Sequence, residues 1–193
     1  MTYLVTGGFG CIGSYVIRDL LEAGEQVVVY DLTYDLTIPE MVLNEDQINQ
    51  ITFVGGDIVD LPNILQTIKK NGIDRIIHLA SWQVPACQAN PPLALKIVSE
   101  GTVNIFEAAR VFGVERTVWA STVGVFGSPD DYNHQQVKND SPHFPKFIYG
   151  VNLQHKVKNI LFGMSFSKIQ SNTKDLQRML MFTCVNPFCS HYI

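Results

Sequence analysis

The sequence predicts an α/β fold built on a doubly wound parallel sheet. Three observations carry that expectation. Five short runs are apolar on both faces, helix-like segments alternate with them, and a glycine-rich turn joins the first run to the first helix. Strands apolar on both faces are covered from both sides, as parallel strands are by their crossover helices. Those crossovers are right-handed almost without exception, which makes the doubly wound sheet the simplest topology.

The elements follow in order. Residues 3–6 form a buried strand, and residues 12–23 a helix stopped by Gly24. Residues 26–30, with Val27, Val28 and Val29 in succession, form a second strand, and residues 51–54 a third. A helix over residues 61–71 closes at Gly72, and a fourth strand spans residues 75–80. A long helix over residues 92–112 closes at Gly113, and residues 116–120 form a fifth strand. Residues 128–146 are polar and turn-rich and read as a long loop of the binding or lid type. A helix is expected over residues 147–162, after which the period is lost. Residues 176–182 are compatible with one more helix, and no role follows for residues 186–193. The expected organisation is one domain over residues 1–163 and an irregular C-terminal tail over residues 164–193.

Composition narrows the function classes. Hydrophobic residues make up 46% and charged residues 17% of 193, enough for a packed core and too apolar for disorder. A net charge of -4, with no Lys/Arg cluster, excludes a phosphate-gripping nucleic-acid surface. Cys11, Cys87, Cys184 and Cys189 form no CxxC pair, and Cys184, Cys189 and His191 lack a fourth ligand, so no metal site is expected. Dispersed cysteines fit a reducing compartment. No secretory leader is expected before the first strand, and no apolar run approaches the roughly 20 residues of a membrane span. A cytoplasmic setting without membrane attachment is the expectation.

Thr6-Gly7-Gly8-Phe9-Gly10-Cys11-Ile12-Gly13 lies between the first strand and the first helix. A diphosphate needs backbone N–H groups aimed at it, and a helix N-terminus supplies them with a favourable dipole. Gly7 permits the tight turn, Gly10 the approach of phosphate to backbone, and Gly13 the close packing of helix on sheet. Cys11 and Ile12, where the loop passes into the helix, are candidates to contact the dinucleotide with these glycines. Asp31 ends the second strand at the spacing expected of a carboxylate accepting from ribose hydroxyls. Its charge would repel the 2′-phosphate of NADP, and no Arg or Lys lies in residues 32–41 to offset it. NAD is the expected dinucleotide.

These motifs, in this order, resemble the extended short-chain dehydrogenase/reductase family, the NAD-dependent epimerases and dehydratases, over about residues 2–152. Gly56-Asp57-Ile58 resembles the family's adenine-contacting segment, which implies roles for Asp57 and Ile58. His78-Leu79-Ala80-Ser81 resembles the segment lining the middle of the cofactor, which implies Leu79, Ala80 and Ser81. Gly101-Thr102-Val103-Asn104 resembles a packing motif of the long helix. Ser121-Thr122-Val123-Gly124-Val125-Phe126-Gly127 resembles the serine/threonine segment, and Tyr149-Gly150 takes the place of the catalytic tyrosine.

The resemblance implies a Rossmann-type fold and an oxidoreductase or isomerase chemistry. Hydride leaves a hydroxyl-bearing carbon for NAD while Tyr149 takes the hydroxyl proton and Thr122 hydrogen-bonds the same oxygen. Read from the residues alone, Thr122 is also compatible with a turn residue whose hydroxyl serves the backbone. A nucleotide sugar or similar small molecule is the implied substrate, and pairing into a homodimer the implied assembly. Ile97, Ile105 and Ile160 suit either a dimer face or the core.

Three positions depart from the family pattern. Position 153, four after Tyr149, is Leu153 where the family carries the lysine that lowers the phenol's pKa. Lys156 lies two turns from Tyr149, about 10 Å along the axis. Val98 stands where an asparagine is usual, and Phe126 where a tyrosine is usual. The smaller region that closes over substrate in the family has no counterpart after Gly163, so the substrate-binding subdomain is expected to be largely missing. A chain truncated or diverged after about residue 152 is the expectation, with an NAD-binding module of impaired catalysis as the alternative function.

Overall fold

The computed structural model describes residues 1–133, 136–138 and 141–152. The expected helix beyond residue 152, Leu153, Lys156, Ile160, the cysteines 184 and 189, and the expected tail all lie outside the described residues. The chain divides into two compact units, Met1–Trp119 and Ala120–Ile193.

The first unit is a five-stranded sheet in the order β3-β2-β1-β4-β5. Its strands are β1 (Thr2–Thr6), β2 (Gln26–Asp31), β3 (Thr52–Gly55), β4 (Arg75–His78) and β5 (Arg116–Trp119), and every pairing is parallel. Helices α1 (Cys11–Glu22), α2 (Glu45–Asn49), α3 (Leu61–Asn71), α4 (Val84–Ala89), α5 (Pro91–Ala94) and α6 (Gly101–Phe112) connect them. This is the doubly wound Rossmann-type sheet that the sequence predicts.

Strand alternation divides the core. Leu4, Val28, Tyr30 and Ile76 face one layer, where α3 contributes Ile64 and Ile68 and α6 contributes Ile105, Ala108 and Ala109. Val5, Val27 and Val29 face the other, where α1 contributes Ile17. Leu4, Ile17, Ile64, Ile76 and Ile105 are fully buried. Each such side chain stabilises the fold by roughly 1.5–3 kcal/mol before entropy is subtracted. Ile105 is core, and the part-exposed Ile97 packs against the same cluster.

The structure departs from expectation where local chemistry overrides pattern. The long helix is not continuous: α5 passes into a π-helical turn, Leu95–Glu100, before α6 begins. Gly101 there lies so close to β3's following loop that an added Cβ would sit 2.6 Å from Ile58 Cγ1. Helix α2 was not expected; Asn44 and Gln47 form a reciprocal capping box that holds it. Helix α4 was also not expected; its Pro85 sits in the first turn, where its missing N–H costs nothing. Strands β4 and β5 end before Ala80 and Ala120, at His78 and Trp119.

In the second unit, residues 148–152 are helical and two short 3₁₀ turns, Val123–Val125 and Pro129–Tyr132, precede them. The stretch expected to be an open loop is tied down in its described part. Asp131 Oδ2 accepts from Ser128 N at 2.7 Å, and Lys146 Nζ reaches Asp131 Oδ1 at 2.9 Å. The Tyr132 hydroxyl donates to Pro142 O at 2.7 Å. The Phe126 and His143 rings meet edge-on at 5.1 Å.

Candidate functional site

Parallel pairing aligns the carboxyl ends of three strands. Thr6 pairs with Tyr30 on one side and with His78 on the other. The residues that follow, Gly7, Asp31 and Leu79, therefore leave the sheet at one edge, where ligands bind in open α/β sheets. Asp31 in turn pairs with Gly55, which brings Asp57 and Ile58 to the same edge.

The glycines of the loop fulfil distinct steric demands. Gly7 has φ +66, and a Cβ on it would stand 2.7 Å from Ala80 N. Gly13 is buried, and a Cβ there would overlap the carbonyl oxygens of Gly7 and Gly8. Gly10 is the N-cap of α1, which has no side-chain cap and no acidic residue in its first turn. The first-turn amides of Cys11, Ile12 and Gly13 are thus left without a side-chain acceptor. Cys11 and Ile12 are exposed, so the cradle opens to solvent. These features fit a diphosphate: uncapped donors, a favourable dipole, and no carboxylate competing for the place.

Asp31 stands at the mouth of this cradle. Its Oδ2 accepts from Phe9 N at 3.1 Å and its Oδ1 from Leu32 N at 2.8 Å. Asp57 is held by the Tyr30 hydroxyl, which donates to Asp57 O at 3.0 Å. Burial pushes the Tyr30 phenol well above its usual range, and the carboxylates of Asp60 and Asp57 add to the shift, so it stays a donor. Ile58 sends its side chain into the core at 6% exposure, leaving only its backbone for a ligand. Ala80 N donates to Thr6 Oγ1 at 3.3 Å, while Ser81 is exposed with its hydroxyl 3.5 Å from Trp82 O.

Sequence reasoning missed what anchors the loop. Phe9, between two of its glycines, is 6% exposed. Its ring stacks on Phe53 at 5.5 Å and meets Tyr34 edge-on at 5.5 Å, while Tyr34 and Phe53 lie 5.0 Å apart. The three rings join the loop to β3 and to the segment after Asp31. A large aromatic side chain amid glycines was the available signal.

Within the second unit, Thr122 and Tyr149 border the same glycine. A Cβ on Gly124 would be 3.5 Å from Thr122 Oγ1 and 3.9 Å from Tyr149 Cδ1. A Cβ on Gly150 would overlap Gly124 O, so Gly150 is needed for this approach, whereas one on Gly124 would make only ordinary contacts. Thr122 Oγ1 accepts from Gly124 N at 3.2 Å, the turn role noted above. That bond uses a lone pair and leaves the hydroxyl proton free to donate. Asn152, three residues after Tyr149, is buried with an unpartnered Nδ2. Among the described residues no group of His, Cys, Asp and Glu could hold a metal, and no helix is long and apolar enough to cross a membrane.

A parallel Rossmann-type sheet with a glycine loop and ordered motifs along its carboxyl edge defines an extended short-chain dehydrogenase/reductase. The chain belongs to the GDP-mannose 4,6 dehydratase family, whose pattern matches residues 4–154. It is 32% identical over 151 residues to a UDP-glucose 4-epimerase of Lacticaseibacillus casei, covering 78% of this chain and 43% of that protein. It is 30% identical over 175 residues to a UDP-glucuronate 4-epimerase of Thermodesulfobacterium geofontis, covering 87% of this chain and 54% of that one. Among solved structures it resembles the Thermus thermophilus UDP-glucose 4-epimerase in complex with NAD, with a TM-score of 0.71 and 27% identity over 84% of this chain and 50% of that one. The chain spans about half the length of the relatives it matches.

Proposed function

We propose that the chain is an NAD-dependent oxidoreductase of the epimerase/dehydratase type, acting on a hydroxyl-bearing carbon of a nucleotide sugar. One observation carries this reading: an uncapped helix N-terminus behind a glycine loop, with the Asp31 carboxylate bonded to that loop through Phe9 N at 3.1 Å. NAD, when bound, supplies a hydride acceptor. The amides of Cys11, Ile12 and Gly13 hold its diphosphate, Gly10 lets it approach the backbone, and Asp31 accepts from its ribose hydroxyls. Asp57 and the backbone of Ile58 receive the adenine, while Leu79, Ala80 and Ser81 line the middle of the cofactor.

Thr122 donates to the substrate oxygen, and Tyr149 takes its proton. A phenol ionises near pH 10, about three units above neutrality, so Tyr149 needs a neighbouring charge to act as a base. The relatives named as UDP-sugar epimerases support a nucleotide-sugar substrate. Widely spaced cysteines, with Cys11 and Cys87 unpaired, support a reducing, cytoplasmic setting.

Leu153 favours a second reading, an NAD-binding module without turnover. Titration calorimetry with NAD and NADP, joined to NADH absorbance and proton NMR of UDP-sugars, separates the two in the native chain and in Leu153→Lys. The enzyme reading expects NAD binding and conversion of a UDP-sugar, with or without net NADH, in at least one of the two proteins. NAD binding with no UDP-sugar converted and no NADH formed by either supports the module. No NAD binding by either protein removes both.

A further inference from the structure

Beneath the cradle lies a buried polar chain that the proposed function does not use. Thr6, His78 and Thr102 come from β1, β4 and α6, and all are at most 2% exposed. Thr6 Oγ1 lies 2.7 Å from His78 Nδ1, and His78 Nε2 lies 2.9 Å from Thr102 Oγ1. Thr102 Oγ1 donates to Val98 O at 2.9 Å, and Ala80 N donates to Thr6 Oγ1 at 3.3 Å.

Counting protons assigns a direction to each of these bonds. A threonine hydroxyl has one hydrogen, and that of Thr102 is given to the Val98 carbonyl. His78 Nε2 must then carry a hydrogen and donate to Thr102. In a neutral imidazole the other nitrogen is bare, so Nδ1 accepts the Thr6 hydroxyl. Thr6 Oγ1 in turn accepts from Ala80 N. The chain runs one way, from the Ala80 amide through two hydroxyls and one ring to the π-helical turn before α6. A buried network of this kind rigidifies when every member is satisfied and is costly when one is not.

We propose that His78, as the neutral Nε2–H tautomer, is a positioning residue for the dinucleotide. It fixes Thr6, which starts the glycine loop, and through Thr6 the amide of Ala80, whose backbone would lie 2.7 Å from a Cβ on Gly7. The π-helical turn anchors the far end through a backbone carbonyl. The carbonyl of Val98, not its side chain, takes part in this chain. The inference rests on the NAD reading for its ligand and on the hydrogen-bond directions for its geometry.

Two arms test it. In the native chain, nitrogen NMR of the ¹⁵N-labelled histidines reads the tautomer directly. A protonated Nε2 and bare Nδ1 on His78 near pH 7 are expected, and the opposite tautomer or an imidazolium overturns the proposal. In the second arm, Thr102→Val keeps the shape and removes the acceptor for His78, whereas Thr102→Ser keeps the hydroxyl. Calorimetry is expected to show NAD affinity about tenfold weaker in the valine variant and within about twofold of native in the serine variant. Equal affinity for all three proteins, or equal loss in both variants, overturns it.

If the native chain takes up no NAD, the function reading fails by itself and amide exchange decides the inference. Faster exchange at Gly7 and Ala80 in Thr102→Val than in Thr102→Ser supports it; equal exchange overturns it. A valine variant without a cooperative melt is replaced by Thr102→Ala under the same comparison.

Discussion

Replacing Asp31 by asparagine keeps the shape of the side chain and removes its charge. A carboxylate offers about four lone-pair sites. Phe9 N at 3.1 Å and Leu32 N at 2.8 Å occupy two of them, which leaves two for a pair of ribose hydroxyls. Whichever way an asparagine amide turns, its NH₂ faces one of those two backbone donors, and one carboxamide oxygen must serve the rest. Hydrogen bonds to a charged group contribute about 1.5–3 kcal/mol and neutral ones about 0.5–1.5 kcal/mol. Two bonds to ribose weakened from the first range to the second lose about 2–3 kcal/mol in sum, or roughly thirtyfold to a hundred-and-fiftyfold in Kd. The same change removes the repulsion of a 2′-phosphate, so preference for NAD over NADP narrows. Calorimetry of the native chain and Asp31→Asn with both dinucleotides measures both effects. An Asp31→Asn chain that binds NAD as tightly as the native one, with its preference unchanged, refutes the reasoning.

Other outcomes follow from the packing. Gly13→Ala forces a Cβ onto the carbonyls of Gly7 and Gly8, both backbone atoms. Overpacking of this kind costs about 1–3 kcal/mol, and denaturant melts should show that loss together with weakened NAD binding. Ile105→Ala empties a fully buried site between α6 and the sheet and is expected to lower stability by about 2–5 kcal/mol in urea melts. The Asp131 carboxyl is held below its usual range by Lys146 first and then by Ser128. A lowered folded pKa means that its contribution is present above the unfolded value, near 3.9 or so, and is lost as pH falls through the folded value. Thermal melts in acid should therefore be less pH-dependent in Lys146→Met than in the native chain; equal slopes would contradict the ion pair.

The sheet was legible because its signals are local and strong. Val27, Val28 and Val29 cannot be solvated on either face, and Gly24, Gly72 and Gly113 all adopt the left-handed conformation expected of helix stops. The loop glycines were legible for a similar reason, since each answers a distinct steric demand. What the sequence hid depends on partners distant along the chain. The π-helical turn arises where Gly101 meets Ile58, 43 residues away by numbering (101 minus 58). The ring trio of Phe9, Tyr34 and Phe53 and the relay through Thr6, His78 and Thr102 each join three separate elements. No single window contains them. Helix α4 gave no periodic signal in six residues, with Pro85 in its first turn. Asp57 was singled out by motif, yet the Tyr30 hydroxyl that fixes it 27 positions earlier had no visible signal.

The most direct test is a crystal structure of the chain grown with NAD. The diphosphate is expected within hydrogen-bonding distance of the amides at positions 11–13, with the 2′- and 3′-hydroxyls of the adenosine ribose on the free lone pairs of Asp31. A dinucleotide bound elsewhere, or a loop whose amides face protein atoms in that crystal, would contradict the account.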